Sequence, residues 1–210
     1  MSDDSLVNYL RTDQHIYIKM IELLEKYVLP HKKSLSIVEI GCGTGSFLEH
    51  LINRVSNFSY TGIDISKKVV EISREMFPDK SCEFIVGDVQ APIDRRFKVA
   101  VVKDVFEHLS NPETAIESFL NLTNEWGVLA FFNTREDSGA RVRLGEEYCF
   151  HCLETKKIES IFVKQKFSIV HRENLSDLEE AARKGLAKRS KELAQYQIGY
   201  PSVYIVRRSQ

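Results

Sequence analysis

Three glycines on alternate positions close an apolar run in this chain, and no other feature restricts its fold as much. Leu35 to Ile40 is the run, and Gly41-Cys42-Gly43-Thr44-Gly45 follows without a break. A helical pattern then starts at once, with Phe47, Leu48, Leu51, Ile52 and Val55 expected on one face. The predicted unit is strand, tight turn, helix. Glycine lets such a turn take positive φ and lets a ligand approach the main chain. In an open α/β sheet the turn lies at the carboxyl end of a strand, where ligands bind.

The spacing narrows the ligand. A dinucleotide fingerprint is G-x-G-x-x-G, with the pyrophosphate on the helix N-terminus. Here the pattern is G-x-G-x-G, and Ser46 stands where the third dinucleotide glycine would be. This argues against a nicotinamide-dependent oxidoreductase. No Lys-Ser or Lys-Thr follows, so the turn is not a P-loop either. Glu39, just before the first glycine, would repel phosphate and attract an ammonium, directly or through water. A ligand with an amino-acid end and a nucleoside end fits that polarity.

The string Glu39-Ile40-Gly41-Cys42-Gly43-Thr44-Gly45 resembles motif I of the class I S-adenosylmethionine-dependent methyltransferases. The resemblance rests on motifs over about residues 35–132 and on element order elsewhere. It implies a doubly wound α/β fold, Rossmann-like, with a seven-stranded, mostly parallel sheet, an antiparallel last strand and helices on both faces. It implies S-adenosylmethionine as cofactor, S-adenosylhomocysteine as product, and Glu39, Gly41, Cys42 and Gly43 among the cofactor-binding residues. The family's last strand runs antiparallel between the fifth and sixth.

Element order agrees with that fold class. A helical lead-in over about residues 5–29 is stopped by Pro30. Further strands are expected at Ser59–Asp64, Glu83–Val86, Lys98–Val102 and Val128–Phe132. Ser66 is read as a helix N-cap, and that helix ends before Pro78. Asn111-Pro112-Glu113 supplies a cap, a proline in the first turn and an acid near the dipole's positive end. A helix near Glu154–Lys164, a strand at Phe167–Arg172 and a final strand at Val203–Arg207 complete the order. Ser176-Asp177-Leu178-Glu179 is a capping box for a helical insertion at about residues 175–196. The expected organisation is one domain over residues 1–210, with a lead-in (1–30), a cofactor-binding core (35–132) and a substrate-side remainder (133–210).

Strand ends supply the other cofactor candidates. Asp64 lies 23 residues after Gly41, where a carboxylate can accept from both ribose hydroxyls; the other reading is a cap for the following helix. Ile65 either covers one face of adenine or packs in the core. Gly87-Asp88-Val89 is similar to the family's Gly-Asp motif, which implies that Asp88 accepts from the adenine amino group and the Val89 N–H donates to the ring. Gly-Asp is also common turn chemistry. At Lys103 and Asp104 the family pattern turns backbone carbonyls toward the cofactor's ammonium, while the Lys103 side chain is free to point to solvent.

Methyl transfer from a sulfonium expels a neutral thioether and needs no general acid, so alignment supplies much of the rate. A base helps only when the acceptor must lose a proton. His108, in Val105-Phe106-Glu107-His108-Leu109, is the candidate catalytic residue, because histidine ordinarily titrates near neutrality. The segment is similar to the D-V-x-E-H-x stretch of small-molecule methyltransferases, including those of quinone biosynthesis. The alternative is a positional role, with His108 packing over the cofactor or orienting the loop. Glu107 could pair with His108 or help hold a metal.

Residues Arg141 to Cys152 follow the fifth strand, where the resemblance implies a wall of the acceptor pocket suited to a polar substrate; the other reading is an exposed loop. Cys149 and Cys152 form a C-x-x-C without the second pair that structural zinc usually needs, so no metal is expected. The lead-in residues Tyr9, His15 and Tyr17 can touch the cofactor or simply pack. Arg183, Lys184, Lys188, Arg189 and Lys191 are read as a solvated basic face, the alternative being an anchor for an acidic partner or RNA.

Charge and composition limit partners. The formal net charge is −1, so no global positive field draws the chain to nucleic acid. No apolar run approaches the ~20 residues of a membrane span. Four cysteines without a dense framework suit free thiols in the cytoplasm. The expected function is methyl transfer to O, N or C of a small-molecule acceptor. The rivals are a non-catalytic cofactor-binding regulator and a methyltransferase of protein or RNA. Acceptor identity and oligomeric state stay open.

Overall fold

The computed structural model describes residues 14–134, 141–143, 149–151, 153–175 and 198–209; of 132–134, 141–143, 149–151 and 198–201 it describes the backbone only. The capping box, the basic stretch, Tyr9 and Cys152 lie outside these residues. Helix α1 (Gln14–Tyr27) leads in and ends before a 3-10 turn at Leu29–His31 that contains Pro30. Then come β1 (Leu35–Ile40), α2 (Ser46–Ile52), β2 (Phe58–Asp64), α3 (Lys67–Met76), β3 (Cys82–Val86) and β4 (Phe97–Lys103). Helix α4 (Pro112–Asn121) and strand β5 (Thr123–Thr134) follow. Short strands β6 (Arg141–Arg143), β7 (Cys149–His151) and β8 (Leu153–Glu154) precede α5 (Thr155–Lys164), β9 (Phe167–Asn174) and β10 (Ile198–Arg208).

The strand order is β3-β2-β1-β4-β5-β10-β9, with the two-residue β8 pairing β5 off this path. Strands β1 to β5 run parallel, and β10 lies antiparallel between β5 and β9. The expected seven-stranded arrangement is present. The order reverses between β1 and β4, which opens a crevice at their carboxyl ends.

The central strands alternate between two apolar layers. Ile37, Val99, Val101, Val128 and Ile205 pack with α1 and α2. Val38, Ala100, Val102, Leu129 and Tyr204 pack with α4 and α5 on the other face. Burial on both faces explains why these strands read as continuous apolar runs. Two expected caps form: Ser66 Oγ accepts from Val69 N at 3.4 Å, and Asn111 Oδ1 accepts from Thr114 N at 3.2 Å.

Three expectations are corrected. Ile52 is 49% exposed rather than part of the buried stripe, because α2 ends there and the last residue turns off the sheet-facing side. Strand β5 begins at Thr123, not Val128, and β10 at Ile198, not Val203. Both extensions are held by pairing with distant strands (Phe97↔Thr123, Ile198↔Thr134), which apolar content does not report. At the far side of the sheet, Arg74 of α3 donates through Nε and Nη2 to the Phe84 carbonyl of edge strand β3, at 3.1 and 2.6 Å.

Candidate active site

The glycine turn takes φ of 68°, 52° and 81° at Gly41, Gly43 and Gly45, all left-handed. The three glycines do different work. A Cβ on Gly41 would lie 2.3 Å from Val105 Cγ2, and one on Gly45 would lie 2.5 Å from the Phe77 ring. A Cβ on Gly43 would meet nothing within 4 Å among the described residues. Gly41 and Gly45 therefore permit close packing, and only Gly43 borders open space. The turn is fixed from behind, where Gly41 N and Cys42 N donate to Ile63 O at 2.7 and 3.2 Å. The Cys42 side chain is buried, and burial pushes its thiol far up, out of thiolate chemistry.

Asp64 links this turn to the next strand end. Its Oδ2 accepts from Gly43 N at 3.1 Å and its Oδ1 from Ser66 N at 2.9 Å. Each carboxylate oxygen offers two acceptor positions, so both keep capacity for a ligand hydroxyl. Ile65 is 71% exposed beside it, so the core-packing reading of that residue fails. Gly87 N donates to Asp64 O at 2.9 Å, which joins the third strand end to the second. Asp88 caps its own turn, accepting from Gln90 N at 2.8 Å, and the Val89 side chain is buried.

Beneath the turn lies a charged cluster. Glu39 is 1% exposed and accepts a hydrogen bond from the Tyr60 hydroxyl. Burial raises its carboxyl to about 8, against the lowering effects of Tyr60 and Lys103. Burial likewise pushes the Tyr60 phenol up. Lys103 does not point to solvent. Its Nζ pairs with Asp104 Oδ2 at 2.7 Å and lies 4.9 Å from the centre of the Tyr17 ring. The register Ile40↔Val102 sets this pair next to Gly41. Asp104 has φ of 51°, rare for a residue with a side chain. Its Oδ1 is buried with no hydrogen-bond partner among the described residues, as are Thr44 Oγ1 and Ser46 Oγ in the glycine turn.

The 3-10 turn Phe106–His108 follows β4, with Phe106 and Glu107 buried and His108 exposed. The backbone of β7 packs against this turn, which brings part of the expected acceptor wall beside His108. Tyr60 escaped the sequence reading because an aromatic in a strand looks like core. Its signal is the register Ile37↔Tyr60, which sets it on the face that also carries Glu39.

A turn with one open glycine, carboxylates at neighbouring strand ends and a crevice at the reversal of strand order define a doubly wound nucleoside-binding class. Residues 9–182 match a family model described as a methyltransferase domain. The chain belongs to that family, and its sheet has the Rossmann-like methyltransferase topology. A malonyl-[acyl-carrier protein] O-methyltransferase of Acetivibrio thermocellus is 27% identical over 110 residues, covering 52% of this chain and 39% of the relative. The chain thus matches well under half of that relative's length. A polyamine aminopropyltransferase of Hydrogenobaculum sp. is 25% identical over 166 residues, covering 79% of this chain and 52% of the relative. A similar solved structure is the O-methyltransferase of a trans-AT polyketide synthase multienzyme of Brevibacillus brevis, in complex with S-adenosyl-L-homocysteine. It has a TM-score of 0.71 and 13% identity, covering 92% of this chain and 72% of that one. Among the described residues no helix is long and apolar enough to cross a membrane.

Proposed function

We propose that this chain is an S-adenosylmethionine-dependent methyltransferase acting on O, N or C of a small-molecule acceptor. The observation that carries the reading is the bare face of Gly43 beside the Asp64 carboxylate, in a chain of the methyltransferase-domain family. Gly43 borders the ligand's backbone-facing side. Asp64 takes the ribose hydroxyls, with Ile65 over the adenine. Asp88 and the Val89 N–H read the adenine edge, and Lys103 and Asp104 meet the amino-acid end. Glu39 acts from behind the turn, where it is buried against the Tyr60 hydroxyl.

S-adenosylmethionine, when bound, supplies an electrophilic methyl whose transfer leaves S-adenosylhomocysteine. The chain's part is alignment and exclusion of water. In this reading His108 receives a proton from an acceptor hydroxyl or amine. The malonyl-[acyl-carrier protein] relatives point to another option, a carboxylate acceptor. A carboxylate is already deprotonated at neutral pH and needs no base. The setting is a cytoplasmic methyltransferase domain that does not engage nucleic acid. The aminopropyltransferase relative supports a second reading, in which the transferred group is aminopropyl.

Calorimetric titration with S-adenosylhomocysteine tests the cofactor, and mass spectrometry of turnover products tests the transfer. Methyl transfer leaves S-adenosylhomocysteine, whereas aminopropyl transfer leaves 5′-methylthioadenosine. No heat and no thermal shift in folded protein would overturn the reading.

A further inference from the structure

Gly41 and Gly45 are wedged against Val105 and Phe77, whereas Gly43 has no such neighbour among the described residues. A glycine without steric neighbours ranges widely in φ and ψ. Two hydrogen bonds, one on each side of its Cα, hold Gly43 at a φ of 52°. Its N–H donates to Asp64 Oδ2 at 3.1 Å, and its carbonyl accepts from the Ser73 hydroxyl at 2.7 Å. Ser73 lies within α3 and is fully buried.

The Ser73 Oγ also lies 3.0 Å from Val69 O, the ordinary back-bond of a serine inside a helix. A hydroxyl carries one proton, so it serves one of these acceptors at a time. Val69 O already receives Ser73 N in the helical ladder. Gly43 O has otherwise only the weak Cys42 thiol, at 3.7 Å, among the described residues. The Gly43 carbonyl therefore has the greater need of the hydroxyl. These bonds close a ring. Asp64 Oδ1 accepts from Ser66 N at 2.9 Å, Ser66 caps α3, and α3 carries Ser73 back to Gly43. One helix thus grips both partners of the contact between Gly43 and the Asp64 carboxylate.

We propose that Ser73 is a positioning residue for the nucleoside ligand: its hydroxyl fixes the Gly43 peptide, which fixes the Asp64 carboxylate for the ribose hydroxyls. The inference rests on the cofactor reading above and adds a residue that acts through others. The Gly43–Thr44 peptide is trans, so holding its carbonyl also sets the direction of the Thr44 N–H. The turn is ordered on folding, which spares the ligand that cost on binding.

Calorimetry with S-adenosylhomocysteine, adenosine and 2′,3′-dideoxyadenosine tests the assignment. Ser73→Ala should weaken the first two about three- to tenfold, the scale of one neutral hydrogen bond, and change the third, which lacks ribose hydroxyls, less than about twofold. Ser73→Cys keeps the side chain's size with a much weaker donor and should behave like Ser73→Ala. In an Asp64→Asn background the effect of Ser73→Ala should shrink below about twofold, because the two residues act as one unit. A purely structural serine would lower the melting temperature and leave the affinities of folded protein unchanged, which would overturn the proposal. Equal losses for all three ligands, or an undiminished loss in the Asp64→Asn background, would also overturn it. In ligand-free wild-type protein the Gly43 amide proton should be protected from hydrogen exchange, and free exchange there would overturn the proposal without any variant. In each case the cofactor reading survives, whereas wild-type protein that binds neither S-adenosylhomocysteine nor adenosine removes both.

Discussion

The Tyr60 hydroxyl donates to the Glu39 carboxylate beneath the glycine turn, and both side chains are closed to water. Burial holds the Glu39 carboxyl at about 8, up from 4.5. Between these values the folded chain keeps a proton that the unfolded chain has released. Stability of the ligand-free protein should therefore fall as pH rises through that window, by up to about 1.4 kcal/mol per pH unit from this group. Glu39→Gln should flatten the slope. Urea denaturation at about pH 5, 6.5 and 8 measures it, and a wild-type stability that is level or rising there would refute the assignment.

Gly41 and Gly43 should fail in different ways. Alanine at either position must adopt left-handed φ, at about 1–2 kcal/mol. Gly41→Ala adds a clash with Val105, worth about a further 1–3 kcal/mol, which Val105→Ala should relieve. Gly43→Ala meets no atom of the described residues, so it should stay folded and lose affinity for S-adenosylhomocysteine. Thermal melts and calorimetry separate the two. An unchanged dissociation constant in Gly43→Ala would mean that the open face is not the ligand's.

Asp64→Ala removes acceptors that hold Gly43 and Ser66 as well as the proposed ribose contact. Affinity for S-adenosylhomocysteine should drop at least about tenfold, the scale of a lost charged hydrogen bond. Calorimetry with adenine-containing ligands that lack ribose hydroxyls provides the control: their binding should change much less. Equal losses for both kinds of ligand would reject the ribose role.

His108→Ala should leave cofactor binding intact, since the side chain is exposed at the crevice rim. For a hydroxyl or amine acceptor, turnover should fall about 10²- to 10⁴-fold, the usual share of a general base. For a carboxylate acceptor it should barely move. Steady-state rates on one acceptor of each kind decide between these roles, and unaffected turnover on both would end the base assignment.

Local chemistry was legible in the sequence. Strand β1, the Asn111-Pro112 helix start and the glycine turn depend on neighbours within a few residues, and each stands where expected. What escaped depends on distant partners. The polar start of β5 is a strand because Lys98 O receives the Thr123 hydroxyl and Phe97 pairs with Thr123, 26 residues away. Lys103 turns inward because Tyr17, on a helix before the sheet begins, offers it a ring face. Glu39 becomes a buried acid because Tyr60 arrives from the neighbouring strand. Three glycines look equivalent in a string, and only their surroundings reveal that one faces open space among the described residues while two accommodate Val105 and Phe77.

The fork of Arg74 over the Phe84 carbonyl bears on solution behaviour. An outermost β-segment with open carbonyls is a template on which a second molecule can stack. Here the guanidinium plugs the middle of that rim with a permanent positive charge. Removing it would leave the crevice intact on the opposite flank of the turn yet uncork the margin, making self-association the first symptom of its loss.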